Sequence, residues 1–103
     1  MADHYHDTDE AVLTRLTVKE PPMYRVILHN DDYTTMEFVV HILIHVFHKQ
    51  MDDATRIMLN VHQNGIGICG VYAYEVAETK VETVHNLARE NGFPLRCSME
   101  KDD

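Results

Sequence analysis

The chain has 103 residues, 17 acidic residues against 9 lysines and arginines, and a formal net charge of −8. That length allows one compact core and leaves little room for a second domain or a large catalytic cleft. The acidic balance works against non-specific DNA or RNA binding, and the 45% hydrophobic, 25% charged composition is ordinary for a globular chain and excludes wholesale disorder.

Residues 1–22 differ in composition from the rest of the chain. They carry Asp3, Asp7, Asp9, Glu10 and Glu20 against Arg15 and Lys19. Val12, Leu13 and Leu16 offer too little apolar surface to hold a helix alone. Pro21-Pro22 then blocks helix continuation. Residues 1–22 therefore read as a flexible N-terminal arm, and 23–103 as the folded domain. The N-terminus has no apolar signal region, which predicts a cytoplasmic chain. Cys69 and Cys97 lack CxxC spacing and are expected to be reduced, packed as small hydrophobes. The longest apolar stretch, Phe38 to Phe47, includes His41 and His45 and falls far short of the ~20 residues of a membrane span.

Met23 to His29 is rich in strand formers, with Tyr24, Val26 and Leu28 on one face. A turn follows at Asn30-Asp31-Asp32. Thr34 and Glu37 have capping-box spacing, and a helix is predicted from Thr35 to Lys49, with Met36, Val39, Leu43 and Val46 or Phe47 as its apolar stripe. A second helix starts at Met51-Asp52-Asp53, buries Ala54, Ile57, Met58 and Val61, and stops at Asn64-Gly65. Gly67 to Tyr72 reads as a strand anchored by Ile68 and Val71. A third helix spans Tyr74 to Asn91, with Ala77, Val81, Val84 and Ala88 inward, though its start has no good N-cap. Gly92 and Pro94 end it. Leu95 to Glu100 alternates, with Leu95, Cys97 and Met99 inward. The order β-α-α-β-α-β predicts an α+β domain, a small three-stranded antiparallel sheet packed against three helices.

Candidate chemistry is sparse. The only serine, Ser98, lies in an alternating strand, and neither cysteine has an activating neighbourhood. Gly65-Ile-Gly67 with Gly70 reads as G-x-G-x-x-G, but it precedes a strand and opens no helix, so the dinucleotide reading fails. His41, His45 and His48 fall at i, i+4 and i+7. Such a row can bind zinc or nickel, but with no Cys nearby and Glu37 as the only acid on the helix the plainer reading is a solvated polar face. Asn30-Asp31-Asp32 can be a plain turn with a helix cap, or a cation site whose carboxylate accepts hydrogen bonds from an ammonium. His62, at the end of the second helix, could add one more bond. Met36, Met58 and Val61 could be plain core, or an adaptable apolar pocket. A cation site beside an apolar hole suits a free peptide N-terminus with a large first side chain.

Tyr24-Arg-Val-Ile-Leu-His-Asn-Asp-Asp-Tyr-Thr34 through Met36-Glu-Phe-Val39 resembles the signature of the ClpS adaptor family. So do Cys69-Gly-Val-Tyr72, Glu75-Val-Ala-Glu-Thr-Lys80, Ala88-Arg-Glu-Asn91 and Pro94-Leu95. The resemblance runs from about Pro21 to Lys101. It implies a bacterial adaptor of the N-end rule: no enzyme, no cofactor, a cytoplasmic monomer. Such an adaptor binds proteins whose first residue is Leu, Phe, Tyr or Trp and delivers them to the ClpA unfoldase of the ClpAP protease.

By the same resemblance, Asn30, Asp31 and His62 would bind the α-amino group, and Asp32 and Thr34 would shape the polar rim. Met36, Val39, Met58, Val61 and Leu95 would line the side-chain pocket, with Met36 rejecting β-branched residues. Glu75 and Lys80 would dock the N-terminal domain of a ClpA-type unfoldase, and the arm 1–22 would be engaged during delivery. Thr35 stands where the family often has Pro, which is expected to loosen the first helical turn. Ile66 replaces a frequent Lys, and the three histidines match no family motif.

Overall fold

The structure is a computed structural model, and it describes residues 21–103. Apart from Pro21 and Pro22, the expected arm lies outside the described residues. The element order is β1 (Met23–His29), α1 (Met36–His45), α2 (Met51–Asn64), β2 (Ile66–Ala73), α3 (Tyr74–Glu90) and β3 (Arg96–Lys101). The strands form one antiparallel sheet in the order β2-β1-β3; α2 and α3 pack against it, and α1 packs on α2. The fold class expected from the sequence is therefore the one observed.

β1 is central, pairs on both edges, and buries three consecutive residues, Val26, Ile27 and Leu28. Val26 and Leu28 are buried towards the helices, joining Leu43, Ile57, Val84 and Cys97 in one core. Ile27 points the other way and is still buried, flanked by its cross-strand partners Ile68 and Ser98.

β2 departs from expectation. Ile68 and Val71 are not its core anchors; they are 51% and 42% exposed. The reason is a bulge. Val26 pairs with Gly70 and Ile27 with Ile68, so Cys69 is an extra residue and the inward alternation shifts by one. Gly67 and Cys69 face in before the bulge, and Gly70 and Tyr72 after it. Gly67 must be glycine here: a Cβ would lie 2.6 Å from Val61 Cγ2 and 3.1 Å from the Ile57 carbonyl oxygen. The missing side chain lets α2 approach the sheet.

The first helix is shorter than its apolar pattern suggests. Its N-cap is Thr35, whose Oγ1 accepts from Phe38 N at 3.1 Å; Thr34, expected to cap, is used elsewhere. Thr35 therefore fixes the first turn that its departure from proline was expected to loosen. α1 buries Phe38, Val39, Ile42 and Leu43, whereas Met36 is 45% exposed. It ends at His45, and His48 follows in a left-handed conformation with φ of 59°. His48 thus leaves the helical row of His41 and His45.

The other two helices follow their sequence patterns. α2 buries Ala54, Ile57, Met58 and Val61, and Gly65 stops it with φ of 94° and its N–H on Val61 O at 3.0 Å. α3 buries Ala77, Val84 and Ala88, leaves Val81 half-buried, and starts without a side-chain cap.

Candidate functional site

The site begins in the loop between β1 and α1. Asn30 N donates to Gly65 O at 2.8 Å, which ties the end of β1 to the turn after α2. That bond brings the loop beside His62, more than a helix away in sequence. Asp31 then organises the turn. Its Oδ1 accepts from Tyr33 N at 2.8 Å and Thr34 N at 2.7 Å, and its Oδ2 accepts from Thr34 Oγ1 at 2.7 Å. Burial alone would raise the Asp31 pKa, but the three hydrogen bonds outweigh it and hold the carboxyl below its ordinary 3.8. Asp31 is an anion at neutral pH, and a carboxylate has acceptor sites beyond three bonds.

This anion stands at a cavity of about 210 Å³ lined by Asn30, Asp31, Asp32, Thr34, Met36, Val39, Met58, Val61 and His62. Val39, Met58 and Val61 are buried and form its apolar part; Asn30, Asp32, Met36 and His62 are exposed at its mouth. Among the described residues, no side-chain hydrogen bond occupies Asn30, Asp32 or His62. Leu95 is buried in the core and is not among the residues lining the cavity. Nine of the ten residues expected in the two halves of the site therefore meet around one opening. A shallower cleft of about 510 Å³ lies between α2 and the β2 edge, lined by residues including Lys49, Arg56 and Ile68. It is larger, but no anion faces it and none of the expected residues reaches it.

The docking pair is split. Glu75 is exposed and lines a cavity of about 310 Å³ with Pro21, Pro22, Tyr24, Ala73 and Tyr74. Lys80 is half-buried and turned inward. Its Nζ donates to Val46 O at 2.7 Å and lies 5.7 Å from the Phe47 ring centroid and 5.3 Å from that of Tyr72. A cation is well placed at that carbonyl, at the C-terminal end of α1. Sequence reasoning missed this bond, and no local pattern signals it, because it joins residues 34 apart.

Nucleophilic chemistry gains nothing from the fold. Burial pushes the Cys97 thiol up to about 12 and Cys69 further still, so neither forms a thiolate near neutral pH. The Ser98 hydroxyl is paired with His29 Nε2 at 2.7 Å on the outer face of the sheet. Among the described residues, no group of three His, Cys, Asp or Glu side chains converges to hold a metal, and no helix is long and apolar enough to cross a membrane.

The family model described as "ATP-dependent Clp protease adaptor protein ClpS" matches residues 19–98. A protein of Desulforapulum autotrophicum named ATP-dependent Clp protease adapter protein ClpS is 71% identical over 82 residues, 80% of this chain and 79% of its own. A protein of the same name from Desulfatibacillum aliphaticivorans is 58% identical over 104 aligned positions, covering 99% of this chain and all of its own. The solved structure of Agrobacterium tumefaciens ClpS2 bound to L-phenylalaninamide superposes with a TM-score of 0.77 at 39% identity, covering 80% of this chain and 99% of that one. The chain belongs to the ClpS family of Clp protease adaptor proteins.

Proposed function

We propose that this chain is an N-degron adaptor. It binds the free α-amino group and the bulky hydrophobic first side chain (Leu, Phe, Tyr or Trp) of a substrate and delivers that substrate to a ClpA-type unfoldase of a Clp protease. The observation that carries this reading is the ionised Asp31 at the mouth of a cavity whose inner wall is Val39, Met58 and Val61. Asp31, Asn30 and His62 take the ammonium, and Asp32 and Thr34 complete the polar rim. Met36 gates the apolar pocket. Leu95 contributes from behind as core support, not as lining. The ligand of the Agrobacterium tumefaciens structure, L-phenylalaninamide, has the same two features: a free amine and a large apolar side chain.

The magnitudes require both halves. Burying a Leu or Phe side chain contributes about 1.5–3 kcal/mol. Each hydrogen bond to a charged ammonium contributes about 1.5–3 kcal/mol. Two or three such bonds and the side chain, less association costs, leave about −8 kcal/mol, near micromolar. Neither half alone reaches that. On this reading residues 23–103 hold the ligand as a monomer in the cytoplasm. The segment 1–22 is the part the unfoldase engages, and the exposed Glu75 is the stronger docking candidate of the pair with Lys80.

Fluorescence anisotropy tests the binding. A labelled peptide beginning with Leu should bind, and the same peptide N-acetylated or beginning with Ile should not. Equal binding of all three, or of none, rejects the reading.

A further inference from the structure

The proposed ligand cavity leaves the outer side of α1 without a role. His41 and His45 sit there, one helical turn apart and both exposed. Their ring centroids lie 4.3 Å apart with an interplanar angle of 44°. The His41 ring also stacks on Phe38 at 6.2 Å, and Phe38 packs on Phe93 at 4.9 Å, so one imidazole of the pair is supported by the core. Glu37, one turn before His41, shares with it a cavity of about 450 Å³ that Thr35, Phe38, Asn91 and Phe93 complete.

We propose that His41 and His45 form a two-point site for a divalent transition-metal ion of the zinc, nickel and copper class, with water in the remaining positions. Imidazoles at i and i+4 present two neutral nitrogens to one ion, the arrangement helical zinc sites use. Nitrogen ligands select these ions over magnesium and calcium, which need oxygen cages. Glu37 lies one helical turn before His41 and lines the same cavity, on the side from which an outer partner would orient the ring. His48, beyond the helix end with φ of 59°, does not join. With two protein ligands the site is open and exchangeable, unlike a closed structural zinc site. A bound ion bridges one turn of α1, so it favours the folded state by linkage.

Calorimetric titration of the full chain with zinc chloride tests this, beside His41→Ala, His45→Ala and His48→Ala. The substituted side chains are exposed, and circular dichroism checks that each variant folds. One equivalent of zinc should bind the parent chain and raise its Tm. Loss of an outer partner alone weakens metal sites by roughly 10–100-fold, so either ligand substitution should weaken zinc by at least tenfold and abolish the Tm rise. His48→Ala should bind as the parent does, and magnesium chloride should give no binding heat. No zinc binding, binding unchanged in either ligand variant, or an equal loss in His48→Ala overturns the proposal. The site is separate from the proposed peptide site, so His41→Ala should keep its affinity for the Leu peptide.

Discussion

Thr34 holds both oxygens of Asp31: its backbone N–H donates to Oδ1 and its hydroxyl to Oδ2, each at 2.7 Å. One residue thus both shapes the turn and keeps the carboxylate ionised. Burial works to raise the Asp31 pKa, and the bonds from Thr34 and Tyr33 more than reverse it, so the folded value lies below 3.8. A depressed folded value means that the stabilisation from Asp31 is fully present above the unfolded value. It is lost as pH falls through the folded one. Peptide binding should be lost in the same acid window, because protonated Asp31 no longer attracts an ammonium. Thr34→Val removes one donor. It should weaken the Leu peptide roughly three- to tenfold and move the acid midpoint to higher pH, read by anisotropy across an acid titration. An unmoved midpoint would sink this role for Thr34.

Met36 stands half-exposed at the cavity mouth while Val39, Met58 and Val61 are buried behind it. Shortening it should make room for a branched Cβ. Met36→Ala is expected to bind Ile- and Val-initiated peptides that the parent rejects, with little change in thermal stability. If the variant still rejects them, the gate lies elsewhere.

Lys80 should behave as a structural residue whatever it does in docking. Lys80→Met keeps the aliphatic stem and removes the bond to Val46 O. The carbonyl then loses a charged donor, at a cost of about 1–2 kcal/mol, or a Tm drop of roughly 5–15 °C for a domain of this size. Glu75→Ala, at an exposed position, should leave Tm unchanged. Equal melting of Lys80→Met and the parent would show that the Val46 bond contributes nothing.

Gly67→Ala tests how α2 is seated. Its new Cβ would meet Val61 Cγ2 at 2.6 Å and the Ile57 carbonyl oxygen at 3.1 Å, so backbone must move. Overpacking of this kind costs about 1–3 kcal/mol. The displaced helix carries Met58, Val61 and His62, so affinity for the Leu peptide should fall together with Tm. A melt like the parent's would mean that the sheet and α2 yield freely.

Much of the fold is legible in the chain. The periodic stripe Ala54, Ile57, Met58 and Val61 places α2 and its buried face, and Asn64-Gly65 marks its end, because helical spacing and a left-handed stop act over a few residues. The acidic turn at Asn30 to Asp32 marks the polar half of the site for the same reason. Three readings fail, the first of them because a distant strand decides. Ile68 and Val71 read as the apolar anchors of their strand, but the bulge at Cys69 puts both on the outer face, and it depends on pairing with β1. The capping-box spacing points to Thr34, but Asp31 claims its hydroxyl and Thr35 takes over. The apolar run to Phe47 promises a longer helix than the one that ends at His45.

The sequence by itself determined the element order, the core stripes and the family, because periodicity, caps, breakers and motif spacing are short-range and written locally. The tertiary structure alone decided which side chains share a cavity. Asn30 meets His62 only through its bond to Gly65 O, and Lys80 meets Val46 only when α3 packs across the end of α1. Such contacts join residues far apart in the chain. Cross-strand register and close packing choose them, and no window along a single chain contains both partners.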